Sequence, residues 1–214
     1  MAKKKGLFIT FEGGDGAGKT TLIESLHMHL EKGGKRQVVK TREPGATSVG
    51  KEIRKLVLHS HALNLVKRCE LLLFLADRAQ HVEELILPAL KKGQVVLCDR
   101  FNDSTIAYQS GARGLDEKAV RSLCNFACDK LTPDLTIYLD LDPKIGLKRV
   151  QKAGRGESDR IEAETLKFHQ MIRTTYLSLV KKHPKRFFLI DASKTPEEVY
   201  LAAKERIDAI RSLT

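Results

Sequence analysis

Leu7-Phe8-Ile9-Thr10-Phe11-Glu12-Gly13-Gly14-Asp15-Gly16-Ala17-Gly18-Lys19-Thr20-Thr21 is the stretch that decides the fold. The apolar run 7–11 reads as a buried strand, the glycines break it, and helical spacing begins at Lys19. Gly13 to Thr20 fits G-x-x-x-x-G-K-[ST] in the strand–loop–helix setting that this pattern requires. Glycines let backbone N–H groups turn inward around phosphate oxygens at a helix N-terminus. Lys19 is placed to neutralise the β and γ phosphates, and Thr20 to offer its hydroxyl to Mg²⁺. Gly13, Gly14, Asp15, Gly16, Ala17, Gly18, Lys19, Thr20 and Thr21 are therefore expected to bind a nucleoside triphosphate with magnesium.

Outward from this loop, short apolar runs alternate with longer helical patterns. Strands are expected at 7–11, 37–41, 94–98, 135–140 and 186–190, rich in Val, Ile, Leu and Phe as buried parallel strands should be. Helices are expected at 19–32, 48–58, 65–92, 117–130, 143–150, 160–182 and 196–213. Gly33-Gly34 closes the first, and Thr195-Pro196-Glu197-Glu198 opens the last with a cap, a proline and an acidic first turn. The alternation predicts an α/β fold, a five-stranded parallel sheet with helices on both faces, in one domain spanning 1–214. The polar, glycine-containing stretch 151–159 interrupts two helices and is expected to be a mobile loop, a lid at about 150–160.

Apolar residues make up 42% of the chain and charged residues 30%, an ordinary globular balance. No apolar run approaches the roughly 18 residues needed to cross a bilayer. The start is basic, but the apolar stretch after it is too short for a secretory signal, so a cytoplasmic location is expected. Cys69, Cys98, Cys124 and Cys128 form no C-x-x-C pair and read as reduced small hydrophobes. The formal charge of +11 raises the question of nucleic acid. The cations are spread along the chain, only 6% of residues are aromatic and tryptophan is absent, so no nucleic-acid partner is expected. A basic surface with a few phosphate-binding arginines accounts for the charge.

Two further motifs carry chemistry. Val95-Val96-Leu97-Cys98-Asp99-Arg100 ends a buried strand with a carboxylate, where a phosphate-loop protein places its magnesium-side acid, and Arg100 projects into the same crevice. Thr41-Arg42-Glu43-Pro44-Gly45 turns directly after the second strand. Arg42, Arg54, Arg78 and Arg100 could together receive a second phosphorylated substrate, because arginine forks suit phosphate oxygens. No guanine-reading Asn-Lys-x-Asp occurs, which favours a phosphotransferase over a switch protein.

These motifs, with Ala107-Tyr108-Gln109 and Pro133-Asp134-Leu135-Thr136-Ile137-Tyr138-Leu139-Asp140, resemble the thymidylate kinase family in the same order over nearly the whole chain. The Thr-Arg-Glu-Pro-Gly segment is the most specific of them. The resemblance implies a nucleoside-monophosphate-kinase fold, transfer of the ATP γ-phosphoryl group to dTMP with Mg²⁺, and a homodimer. It implies that Phe74 stacks on thymine, Arg78 donates to its O4, and Ser104 or Thr105 reads its N3. Asp15 would hold the sugar 3′-hydroxyl, and Arg100, helped by Arg42, the acceptor phosphate. Tyr108 would crowd the 2′ position, with Gln109 beside it. Thr20 and Asp99 would serve the metal, and Lys19, Asp99 and Arg100 the catalysis. Some family members carry an arginine directly after the loop carboxylate. Here that position is Gly16, which implies a cation from the lid: Arg155, with Arg149 and Arg160 at the lid's edges. The rival within enzymes is a deoxynucleoside kinase acting on a 5′-hydroxyl.

Overall fold

The computed structural model describes residues 6–34, 37–60, 63–154 and 159–211. Its centre is a five-stranded sheet, β1 (Leu7–Gly13), β2 (Val38–Arg42), β3 (Val95–Asp99), β4 (Leu135–Asp140) and β5 (Phe187–Asp191). The spatial order is β2-β3-β1-β4-β5 and every pairing is parallel. The helices are α1 (Lys19–Lys32), α2 (Ser48–Arg54), α3 (Lys67–His81), α4 (Leu87–Lys91), α5 (Asn102–Thr105), α6 (Glu117–Ala127), α7 (Pro143–Lys152), α8 (Leu166–Lys182) and α9 (Pro196–Arg211). The five-stranded parallel architecture expected from the alternation is the one observed.

Alternation along β1 assigns its two faces. Leu7, Ile9 and Phe11 pack with Leu22, Leu26 and Leu30 of α1 and with Val199, Ala203 and Ile207 of α9. Phe8 faces the opposite layer with Val96, Cys98 and Phe101, while Tyr138 packs there with Ile172 and Tyr176 of α8. On that second face Thr10 and Glu12 are also fully buried, so the strand carries polar groups into the interior beside the functional end of the sheet. The chain passes from β1 out to β2 and returns across β1 to β4, which opens a crevice at the carboxyl ends of β1 and β3. In the registers, Asp99 pairs with Phe11 on one side and Arg42 on the other, so the motif residues meet at one edge of the crevice.

Several boundaries differ from the expectation, each for a local reason. The segment 102–112 was not anticipated as helical; it forms α5 and a π-helical turn, Ile106–Ala112. Its Ser104, Thr105 and Gln109 are buried polar residues, which hide the apolar period that betrays a helix. The helix expected at 160–182 begins at Leu166, where the Thr165 hydroxyl accepts from Phe168 N. The helix expected at 117–130 stops at Ala127, and Asp129 and Lys130 adopt left-handed backbone conformations. The pattern at 48–58 ends in a π-helical turn, Lys55–His59, and that at 65–92 is interrupted by another, Val82–Ile86. No helix among the described residues is long and apolar enough to cross a membrane.

Candidate active site

The phosphate loop joins β1 to α1. Gly13, Gly16 and Gly18 take positive φ of 147°, 74° and 92°, conformations open to glycine and strained for other residues. Gly18 caps α1 without a side-chain hydrogen bond, and the first turn holds no acidic residue, so the first amides of α1 are presented to the crevice. Lys19 is buried, and its Nζ donates to the carbonyls of Gly13 and Gly14 at 3.1 and 2.9 Å. Burial, then repulsion from Arg100, holds the ammonium below the usual lysine range against the pull of Asp99 and Asp15.

A cavity of about 280 Å³ opens on this loop. It brings together Asp15, Gly16, Gly18, Lys19, Thr20 and Thr21 with Arg42, Arg54, Phe74, Arg78, Asp99, Arg100, Ser104, Thr105, Tyr108 and Gln109. Of the residues singled out from sequence, Gly13, Gly14 and Ala17 shape the loop without lining this cavity. Arg155 lies outside the described residues.

One end of the cavity is crowded with cations. Arg54 donates through Nη1 to the Pro44 carbonyl at 2.9 Å. Burial, then repulsion from Arg42 and Arg100, lowers its guanidinium from the usual range. Arg100 stands at φ 71°, strained for a residue with a side chain. Its amide donates to Phe11 O, and the next amide, Phe101 N, donates to Glu12 Oε1 at 2.8 Å. The Arg100 guanidinium donates to Asp15 Oδ1 at 2.6 Å and Gly13 O at 3.1 Å, and lies over the Tyr108 ring. Burial alone would push the Asp15 carboxyl up; Arg100 and Lys19 outweigh it and hold it low.

At the other end, paired polar groups surround Phe74. Arg78 is 2% exposed, its Nε bound to Glu43 Oε2 and its Nη1 to Thr105 Oγ1, each at 2.7 Å. The pair left open in the sequence is thereby divided: Thr105 stands with Arg78, while Ser104 stands with Arg100 and donates to Glu12 Oε2 at 2.6 Å. Gln109 donates through Nε2 to Glu70 Oε1 at 3.0 Å.

Sequence reasoning missed the buried acids behind these groups. Glu12 accepts from Phe101 N, Ser104 and Tyr176, and burial followed by the nearby Asp103 pushes its carboxyl up to about 7. Glu43 accepts from Arg78 and from His81 Nδ1, and Asp77 accepts the Gly45 amide at 2.9 Å; together they fasten the Thr41–Gly45 turn to α3. Glu43, His81 and Cys98 lie within metal-ligating distance of one another, but Glu43 and Thr41 engage the two imidazole nitrogens. Glu43 stood inside a quoted motif; Glu12 adjoined another.

A second cavity, of about 410 Å³, lies on the opposite flank of the loop between Arg149 of α7 and Tyr200 of α9. Sequence reading gave no sign of it, since its walls come from three separated segments. Arg149 Nη1 donates to Ala192 O at 3.1 Å. Arg160 is engaged elsewhere, through Nε with Val57 O at 3.0 Å and through Nη2 with Glu70.

The family model described as thymidylate kinase matches residues 11–202. A thymidylate kinase of Protochlamydia amoebophila is 49% identical over 212 residues, 96% of this chain and 94% of that protein. One from Desulfovibrio desulfuricans is 48% identical over 208 residues, covering 95% of each. The crystal structure of thymidylate kinase from Ehrlichia chaffeensis superimposes with a TM-score of 0.74 at 33% identity, over 98% of this chain and 99% of that one.

Proposed function

The chain belongs to the thymidylate kinase family, and we propose that it transfers the γ-phosphoryl group of ATP to dTMP, giving dTDP and ADP. The observation that carries this reading is the set of three guanidinium groups, Arg42, Arg54 and Arg100, in the cavity walled by the phosphate loop, where Arg42 and Arg100 each repel Arg54. Such a socket fits a phosphorylated acceptor; a nucleoside kinase, acting on an uncharged 5′-hydroxyl, has no use for it.

The acceptor phosphate lies against these arginines and the thymine against Phe74 and Arg78. Asp15 reaches the 3′-hydroxyl and Tyr108 bounds the sugar. Lys19 leaves the loop carbonyls for the donor phosphates, and the donor base enters the cavity between Arg149 and Tyr200. The acceptor is already an anion, so no general base is required. Its oxygen bonds to the γ-phosphorus as the bond to the β-bridging oxygen breaks, and the protein's part is to align two anions and offset their repulsion. A divalent cation fits the residues present: Asp99 Oδ1 is buried without a hydrogen-bond partner among the described residues, and Thr20 is exposed beside it in the same cavity. Thr20 and Asp99 would hold Mg²⁺, which supplies charge neutralisation on the triphosphate when bound.

The lid assignment rests on the family resemblance, and packing supports it. A side chain at Gly16 would meet the backbone of Gly146, with Cβ 2.2 Å from its carbonyl oxygen, so the loop cannot carry an arginine there without displacing α7. Arg149 and Arg160 are engaged as described, which leaves Arg155 to stabilise the moving phosphoryl group. A homodimer is supported by apolar side chains exposed on adjoining helices: Val49 of α2, Leu72 of α3 and Phe126 of α6, the last 87% exposed. A coupled kinase assay over dTMP, thymidine, dUMP and dCMP tests the activity. Turnover of thymidine equal to or above that of dTMP would refute the monophosphate reading.

A further inference from the structure

Glu70, Phe74 and Arg78 stand four residues apart on α3 and so share one face. Thr105 and Gln109 oppose them from the helix beyond β3, pairing Arg78 with Thr105 at one end of the row and Glu70 with Gln109 at the other. Phe74 sits between the two pairs and lines the cavity with Arg78 and Gln109. A planar base stacked on Phe74 therefore has both Arg78 and the Gln109 amide at its rim.

A glutamine amide can present either its donor or its acceptor, and only its surroundings decide which. Here the choice is forced. Glu70 is 1% exposed and is surrounded by donors: Arg113 through Nε at 3.1 Å and Nη2 at 3.2 Å, Arg160 through Nη2, and Gln109. Burial opposes its ionisation, but these hydrogen bonds outweigh it and hold the carboxyl low, so Glu70 can only accept. The Gln109 nitrogen must face Glu70. Its oxygen is then the atom left for the cavity, and no donor among the described residues takes it.

Resting on the dTMP reading above, we infer that Glu70 is a positioning residue that locks the Gln109 amide with its oxygen toward the base and so selects an imide edge. Thymine and uracil present an N3–H donor beside an O4 acceptor, which complements the Gln109 oxygen, in place of the Ser104 or Thr105 hydroxyl expected at N3, and the Arg78 Nη2, which has no partner among the described residues. Cytosine reverses both groups, placing an acceptor at N3 against the Gln109 oxygen and an amino donor against a guanidinium. Turning the amide to suit cytosine would set its oxygen against the Glu70 carboxylate. A site that holds a buried polar group in one polarity rejects the mismatched partner far more strongly than one that adapts.

The test compares kcat/KM for dTMP and dCMP, together with KM for ATP, in the parent and in Glu70→Gln. Glutamine at 70 offers Gln109 a donor, so the Gln109 amide can turn; the dTMP-to-dCMP ratio should narrow about tenfold or more, with KM for ATP held within about twofold. Equal weakening toward both acceptors, with the ratio unchanged, overturns the lock. Arg113→Met removes contacts from the same network yet leaves the carboxylate facing Gln109, so its ratio should hold; a narrowing equal to that of Glu70→Gln also overturns the lock. If Glu70→Gln fails to fold, Gln109→Met keeps the volume and removes the acceptor, and its ratio should narrow likewise; an unmoved ratio overturns the proposal. A parent enzyme that does not phosphorylate dTMP would instead sink the activity itself.

Discussion

Three glycines of the phosphate loop form a graded experiment in which backbone conformation and space can be separated. At Gly14 an added Cβ meets nothing within 4 Å, and its φ lies outside the left-handed range, so Gly14→Ala should remain within about 1 kcal/mol of the parent. At Gly18 there is also open space, but φ is 92°, so alanine incurs the left-handed cost of about 1–2 kcal/mol. At Gly16 both terms act. The φ is 74°, and the new carbon falls 2.2 Å from the Gly146 carbonyl oxygen, a backbone atom of α7 that cannot swing aside. Adding an overpacking cost of about 1–3 kcal/mol gives a total of about 2–5 kcal/mol for Gly16→Ala.

Thermal melts and urea titrations without nucleotide read these directly. For a chain of this size each kcal/mol moves the midpoint by about 2–4 °C, so the losses should be near zero for Gly14→Ala, roughly 2–8 °C for Gly18→Ala and roughly 4–20 °C for Gly16→Ala. The order matters more than the values. If Gly16→Ala melts with or above Gly18→Ala, the Gly16–Gly146 contact yields under load, and the packing reason for the missing loop arginine fails with it.

Four more outcomes follow from the site. Lys19→Ala should remove nearly all turnover while dTMP binding by calorimetry persists; retained turnover would refute the phosphate-loop role. Arg155→Ala should lower the rate far more than ATP affinity, and Gly16→Arg in that background should fail to restore it; an unchanged rate in the single variant would move the role to another arginine. Replacing Tyr108 with a smaller residue should relax discrimination between dTMP and its ribose counterpart, and an unmoved ratio would make Tyr108 a packing residue only. Glu12, pushed from 4.5 up to about 7, binds its proton more tightly folded than unfolded, so its contribution to stability is complete below about pH 4.5 and is lost as pH rises through 7. Glu12→Gln should flatten that decline in urea midpoints between pH 5 and 7; equal slopes would assign the decline to another group, such as Asp77.

The loop, Asp99-Arg100 and Thr41-Arg42-Glu43-Pro44-Gly45 were legible because each is a short run whose chemistry and conformation are settled by near neighbours. The five-stranded parallel sheet followed from alternation for the same reason. What stayed hidden depends on residues far apart in the chain. Glu12 finds its partners 92 and 164 positions away, in Ser104 and Tyr176. Gly16 needed glycine for conformation, but the stronger constraint comes from Gly146, which only the docking of α7 reveals. The second cavity arises where α1, α7 and α9 converge, and no local pattern marks such a meeting. Arg160, expected at the lid's edge, is bonded to Val57 and Glu70, partners 103 and 90 positions away.

The buried acids missed in the sequence share one role. Each lies a layer behind a group that faces the cavity: Glu12 behind Ser104 and the Arg100 backbone, Glu43 behind Arg78, Glu70 behind Gln109. A cavity built to receive two polyanions must gather cations and donors, and those repel one another: burial lowers Arg54 and Lys19, and repulsion from neighbouring arginines lowers them further. Side chains so placed would drift apart in solvent or turn to the wrong polarity. Glu43 and Glu70, held ionised, can only accept and so fix both position and direction of the donors bound to them, while Glu12, pushed up to about 7, fixes the position of Ser104 and of the Phe101 amide. The acids thus leave the net positive field of the cavity in place for phosphate while removing the freedom of the groups that read the acceptor. That division explains why the phosphate-binding half of the site is written in local motifs and the base-reading half is not: charge can be supplied by any arginine at a strand end, whereas donor direction has to be imposed by a partner from another element.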